Sequence, residues 1–173
     1  MPEVPIDVGD LLDRHCALEV EALAALSPSV ACDAVPRWVY AQERTPYWMN
    51  RIVTMEPELA YDADAGEEAT VEVLTVEMQL VYAPIQSGMD GEVEAALNAA
   101  LPQMVAYFRR RAWLQTVAFP TPMLYLRSAV ITLASGATPL PATPDGGQKV
   151  GLLFRSRCEF ITPLDQMYLG DAP

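Results

Sequence analysis

The chain reads as an α+β domain: a mainly antiparallel sheet packed against two amphipathic helices and ending in a long C-terminal β-hairpin. Three observations predict it. Apolar residues recur at helical spacing in two segments, 11–26 and 91–114. They alternate with polar residues in 69–82, 123–134 and 148–162, and stretches rich in Gly and Pro separate these runs. At 173 residues and 19.0 kDa the length suits a single domain spanning 1–173, large enough to bury roughly 70% of its unfolded surface without a disulfide or metal.

The first helix follows Asp7 or Asp10 as cap and runs through LLDRHCALEVEALAAL, with Leu11, Leu12, Cys16, Val20, Leu23 and Leu26 at helical spacing; Ser27-Pro28 ends it. Two short aromatic-rich strands are expected in PRWVYAQ and YWMNRIVTM. EPELAYDADAGEE, residues 56–68, reads as an acidic connection. In the strand ATVEVLTVEMQLVY, Leu74, Val76, Met78, Leu80 and Tyr82 form one face against Thr75, Glu77 and Gln79, with a bulge expected near Val73. The second helix places Val93, Leu97, Met104, Val105 and Phe108 on one side, and Pro102 should kink it or start a new segment. In the last strand Val150, Leu152, Phe154, Cys158 and Phe160 oppose Lys149, Leu153, Arg155, Arg157 and Glu159. The loop SGATPLPATPDGG, 135–147, holds too few large apolar residues to pack a core, so the long hairpin that carries it reads either as an arm or as a strand that bends at Gly151 or Ser156.

The charge of −12 argues against general binding to nucleic-acid backbones. Its distribution is uneven. Residues 1–94 hold 19 acidic and 4 basic side chains, whereas residues 95–173 hold 4 and 7, which suits either solvated faces or oppositely charged surfaces that meet between copies. The N-terminus has no basic leader and no apolar run nears the ~20 residues of a membrane span; a chain in contact with no membrane is expected. Cys16, Cys32 and Cys158 form no CxxC pair and read as reduced core thiols.

No catalytic motif or cofactor site is expected. His15 is the single histidine, and its neighbour Cys16 points about 100° away on a helix, so a helix-surface histidine is the simpler reading. No metal site is expected either: in DADAGEE the glycine is fifth and no glutamate is twelfth, unlike a calcium loop. The strongest charge cluster is Arg109-Arg110-Arg111. Cations at a helix C-terminus complement its dipole, but three in a row span nearly the whole circumference, so at least one should face a neighbour. ERTPYWMNRI has the Tyr, Trp, Met and Arg content that interfaces favour; its aromatics could equally fill the core. Arg44, Tyr47, Trp48, Arg51, Arg109, Arg110, Arg111, Arg155 and Arg157 are the interface candidates.

The order of these elements, from the amphipathic helix through ERTPYWMNRI, an acidic turn, VEVLTVEMQLVYAP and YFRRRAWL to the hairpin LYLRSAVITLA and VGLLFRSRCEF, resembles the tail terminator, or tail-to-head joining, proteins of long-tailed bacteriophages. The resemblance covers most of the chain and departs in the 135–147 loop and the proline of the second helix. It implies a virion structural protein without enzymatic activity, assembled in the host cytoplasm as a homohexameric ring and located in the virion tail. Such a ring caps the tail tube, stops its elongation and joins the tail to the head connector, so the implied partners are further copies, the tail tube protein and the head completion or connector protein. DNA passes through without specific binding, so Glu56, Glu58, Asp62, Asp64, Glu67, Glu68 and Glu72 are the candidates to face the channel. A ligand-binding or regulatory α+β module is the alternative, and an enzyme of unrecognised type the third reading.

Overall fold

The computed structural model describes residues 8–39, 45–62, 67–84, 90–110, 125–140 and 149–161. Helix α1 (Val8–Ala24) leads into a three-residue strand β1 (Asp33–Val35), then β2 (Tyr47–Asp62) and β3 (Glu67–Pro84). Helix α2 (Asp90–Arg110) follows, and β4 (Tyr125–Pro139) and β5 (Lys149–Ile161) complete the order. The five strands form one sheet, β1-β2-β3-β5-β4, antiparallel except for the β1–β2 pair. This is the α+β architecture the sequence predicts.

One face of the sheet carries both helices. Strand alternation delivers Trp48 from β2, Leu74, Val76, Met78 and Leu80 from β3, and Leu152, Phe154, Cys158 and Phe160 from β5 into a single core with Leu11, Leu18, Leu23, Leu97, Met104 and Phe108. In α2 the stripe Leu97, Ala100, Met104, Phe108 is buried while Pro102 and Asn98 lie exposed. Water can therefore serve the carbonyl that a proline leaves without a donor, and the helix runs unbroken through Pro102. Two polar contacts tie the helices together: the Ser27 N–H donates to Gln103 Oε1 (3.1 Å) and the Tyr107 hydroxyl to Glu21 Oε2 (2.8 Å). Among the described residues no helix is long and apolar enough to cross a membrane.

Several local expectations are corrected. The stretch Glu56–Glu68 is mostly strand, because β2 and β3 pair from Tyr47↔Val81 out to Asp62↔Glu67. Among the described residues the pairing of β3 with β5 ends at Val71↔Ile161, and from Leu59↔Thr70 outward β2 and β3 are the strands seen to pair, a projection roughly 13 Å long at 3.3 Å per residue. At the other hairpin, β4 continues to Pro139 and Leu140 is buried, so the start of the 135–147 loop does pack, while its remainder, 141–147, lies outside the described residues. PRWVYAQ is not a strand over 36–39, since pairing with β2 ends at Val35, just before Pro36.

No register shift occurs at Val73. The shifts lie between Ile52 and Thr54 in β2 and between Val81 and Ala83 in β3. Val73 and Leu74 are both buried because both faces are covered there. On the face away from the helices, Arg157 reaches from β5 across β3 to Glu58 on β2 and overlies the Val73 level. Gly151 stands opposite Val81, beside the second shift.

Candidate interaction surface

The face of the sheet without helices is organised by charge. Register places Arg51 opposite Glu77 and Glu77 opposite Arg155, one from each of β2, β3 and β5. Residues directly opposite in antiparallel strands share a face, so one carboxylate meets two guanidiniums. Arg51 Nη2 and Nε donate to Glu77 Oε2 at 2.6 and 2.9 Å, and Arg155 Nη2 and Nε donate to Oε1 at 3.1 and 3.3 Å. Burial alone would raise the Glu77 pKa; the two arginines outweigh it and hold the carboxyl below its ordinary range. A second group lies one step along, where Arg157 donates to both Glu58 and Glu159. The Arg51 guanidinium also stacks over Trp38, 4.1 Å from the ring centroid.

Next to this ladder a second, smaller apolar cluster sits on the same face: Tyr47, Met49, Val81 and Leu140, with Val35 and Trp38 packed against it. Tyr47 and Trp48 are therefore corrected as interface candidates. They are consecutive strand residues, so they point to opposite faces, and each is fully buried in a different cluster of its own chain. Lys149 lies over the Tyr47 ring at 5.6 Å.

The other predicted residues divide by location. Arg51, Arg155 and Arg157 are about half exposed and bound to carboxylates of their own chain. Arg109 and Arg110 are exposed at the end of α2. Glu56 and Glu58 are exposed on β2, and Glu58 is paired with Arg157. Asp62, Glu67, Glu68 and Glu72 lie on β2 and β3 by backbone, with side chains outside the described residues; Arg44, Asp64 and Arg111 lie outside them altogether.

Composition did not reveal the edges. Among the described residues the large exposed hydrophobic side chains are Val20, Val53, Met55, Leu59, Val130 and Leu133. All but Val20 belong to β2 or β4, the two long strands that pair with a long neighbour on one side only among the described residues. Leu59, on the β2–β3 projection, is 77% exposed. β1 covers only Tyr47–Met49 of β2.

A polar cluster lies buried under α1. His15 is fully buried, not on the helix surface, with its Nδ1 2.7 Å from the Leu11 carbonyl. Glu19 is equally buried and accepts from Asn50 Nδ2 at 2.9 Å; the same amide lies 3.3 Å from the Val35 carbonyl and 3.5 Å from Cys16 Sγ. Desolvation drives the protonation states. It lowers the His15 pKa to about 4, raises that of Glu19 well above its ordinary value against the opposing Asn50 bond, and pushes Cys16 and Cys32 up to about 12. Burial thus favours the protonated form of Glu19, and the thiols are poor nucleophiles. No group of three His, Cys, Asp or Glu suited to a metal ion occurs among the described residues.

The cluster gives stability a pH dependence with a defined sign. His15, neutral when folded, costs stability as pH falls from about 6.5 toward 4, because only the unfolded chain then takes up the proton. Glu19 acts oppositely: its contribution is complete below pH ~4.5 and declines as pH rises toward its elevated folded pKa. Glu19→Gln keeps an acceptor for Asn50 and removes the second effect. Its gain over the unaltered chain should grow with pH above ~4.5, at up to about 1.4 kcal/mol per pH unit until the raised folded pKa is reached, read by urea unfolding at pH 5, 6 and 7. A gain that is the same at all three would show that Glu19 is already ionised in the fold.

No protein family model and no curated protein matches the chain. Among solved structures, a chain described as "Virion of native gene transfer agent (GTA) particle" is similar at 17% identity and a TM-score of 0.33, over 79% of this chain and 84% of that one. That likeness is too loose to argue from.

Proposed function

We propose that this chain is a structural protein of a phage-like particle, and that it assembles into a ring that caps a tail tube, ends its elongation and joins the tail to the head connector. The observation that carries the reading is the concentration of exposed apolar side chains on the two open edge strands of one sheet. A chain that works alone usually blunts its sheet edges and keeps such side chains scattered. Two different patches on opposite sides of a subunit suit a heterologous contact, and a heterologous contact closes into a ring when its rotation permits. Six subunits is the number the resemblance to tail terminators implies.

In this reading the chain has no catalytic role, and it resides in the virion tail after assembly in the host cytoplasm. Its partners are its own copies, the tail tube protein and the connector protein. DNA passes without specific binding, helped by exposed acids such as Glu56. Native mass spectrometry with negative-stain imaging tests the proposal. The expected result is a closed six-fold ring with a central opening that retains no duplex DNA at physiological salt. A monomer across the accessible concentration range, or tight salt-sensitive DNA binding, would sink it.

A further inference from the structure

We infer that successive copies join edge to edge, with β4 of one copy lying antiparallel to the outer side of β2 in the next, over the rows that run from Asn50–Leu133 to Glu58–Tyr125. The inference rests on the self-assembly proposed above and names the surface that carries it.

The rows come from the register. Asn50 pairs with Met78, Met78 with Phe154 and Phe154 with Leu133, so Asn50 and Leu133 end the same row on opposite edges. By the same steps Met55 is level with Ala129 and Glu58 with Tyr125. The bare part of β2 begins at Asn50, where its pairing with β1 ends at Met49. On β4, register shifts follow Leu133 and precede Ser128, and Ser128–Leu133 pairs with β5 without interruption. The part of β2 beyond β1 and the evenly paired part of β4 therefore share the same rows of the sheet, with the β2 shift between Ile52 and Thr54 falling among them.

Strand direction agrees. β2, β3, β5 and β4 alternate in direction, so β4 runs opposite to β2. A copy added in the same orientation therefore sets its β2 antiparallel to β4 and continues the alternation. Each junction would cover Val53 and Met55 from one copy and Val130 and Leu133 from the other, and satisfy open backbone donors and acceptors on both edges.

Composition and exposure select this pairing over the symmetric ones. Residues 129–139 of β4 carry no charged side chain, whereas the β2 edge offers the exposed Glu56. Pairing β2 with a second β2 sets like charges side by side and leaves Val130 and Leu133 in water, and pairing β4 with a second β4 leaves Val53, Met55 and Leu59 in water.

Complementation separates the cases. One altered chain carries Val53→Lys with Met55→Lys and cannot use its β2 edge; the other carries Val130→Lys with Leu133→Lys and cannot use its β4 edge. All four positions are exposed, and thermal unfolding followed by circular dichroism checks that each chain remains folded; the single changes Met55→Lys and Val130→Lys stand in for a double variant that does not. By analytical ultracentrifugation each altered chain alone is expected to be monomeric where the unaltered chain is assembled, and an equimolar mixture should give a species of two subunits and nothing larger. A β2-edge variant that assembles normally while the β4-edge variant does not would indicate β4–β4 pairing and overturn the inference, as would a mixture that stays monomeric. Closed rings that survive both sets of changes overturn the edge contact and leave the ring standing. Open filaments broken by these changes uphold the contact and overturn the ring, and an unaltered chain that stays monomeric overturns both.

Discussion

Trp48→Ala is expected to lower stability by about 3–5 kcal/mol, a large share of the roughly 5–15 kcal/mol that holds a native protein together. Trp48 is fully buried, with its ring 6.2 Å from Phe108 at 76° and 5.9 Å from Phe154, and those two phenylalanines stand 5.2 Å apart at 72°. The three rings join β2, α2 and β5 across the thickness of the core, so truncation opens a cavity walled by elements that cannot all collapse into it. Its indole Nε1 has no hydrogen-bond partner among the described residues, so Trp48→Phe removes volume without breaking a described polar contact and should cost much less. Urea unfolding reads both. A loss under about 1 kcal/mol for Trp48→Ala would show that the trio does not anchor the core.

Gly151→Ala is the second large effect, and it acts through overcrowding. A Cβ built on Gly151 would stand 2.0 Å from the Leu80 carbonyl oxygen, 2.9 Å from Gln79 Nε2 and 3.0 Å from Leu140 Cδ1. The first of these is backbone and cannot swing away. Gln79 bridges the same place, donating to the carbonyls of Leu80 (3.1 Å) and Leu152 (2.8 Å) beside the register shift in β3. The methyl must therefore displace either the strand or the bridge, at about 3 kcal/mol, the upper range for overpacking. For a chain of this size that is a fall in Tm of about 6–12 °C. Gly91→Ala, with nothing within 4 Å of the added carbon, is the control and should not fall. Equal melting of the two variants would mean that β5 has room at Gly151.

The central strands were legible because their alternation is unbroken: Leu74, Val76, Met78 and Leu80 face the helices as read. The β2–β3 projection was not. Its acidic composition suggested a loop, yet the backbone of the same residues continues the antiparallel pairing of β2 with β3. His15 was misplaced although a signal existed, since Leu11, His15, Leu18 and Ala22 fall on one helical stripe and all are buried. A polar residue on an apolar stripe was discounted. Glu19 escaped for the same reason, and its partner Asn50 comes from another element, which no local pattern can supply. Tyr47 and Trp48 show the converse error: a composition typical of interfaces served two cores on opposite faces. The edge patches need strand order, because whether Val130 lies in the middle of a sheet or at its margin depends on which strands flank it.

The strand order also bears on how the chain folds. β2 with β3, and β4 with β5, are pairs of neighbours in sequence, so each can form by contacts closed over short distances along the chain. The β3–β5 seam is different: it brings Pro84 beside Lys149 and Val71 beside Ile161, with α2 and β4 in the intervening chain. Closing a loop of that length costs conformational entropy before any seam contact returns it, and such nonlocal pairing slows folding. The docking of the two hairpins along this seam is then the step expected to limit folding. Mutations along the seam should slow folding, whereas those at the outer margins should chiefly hasten unfolding.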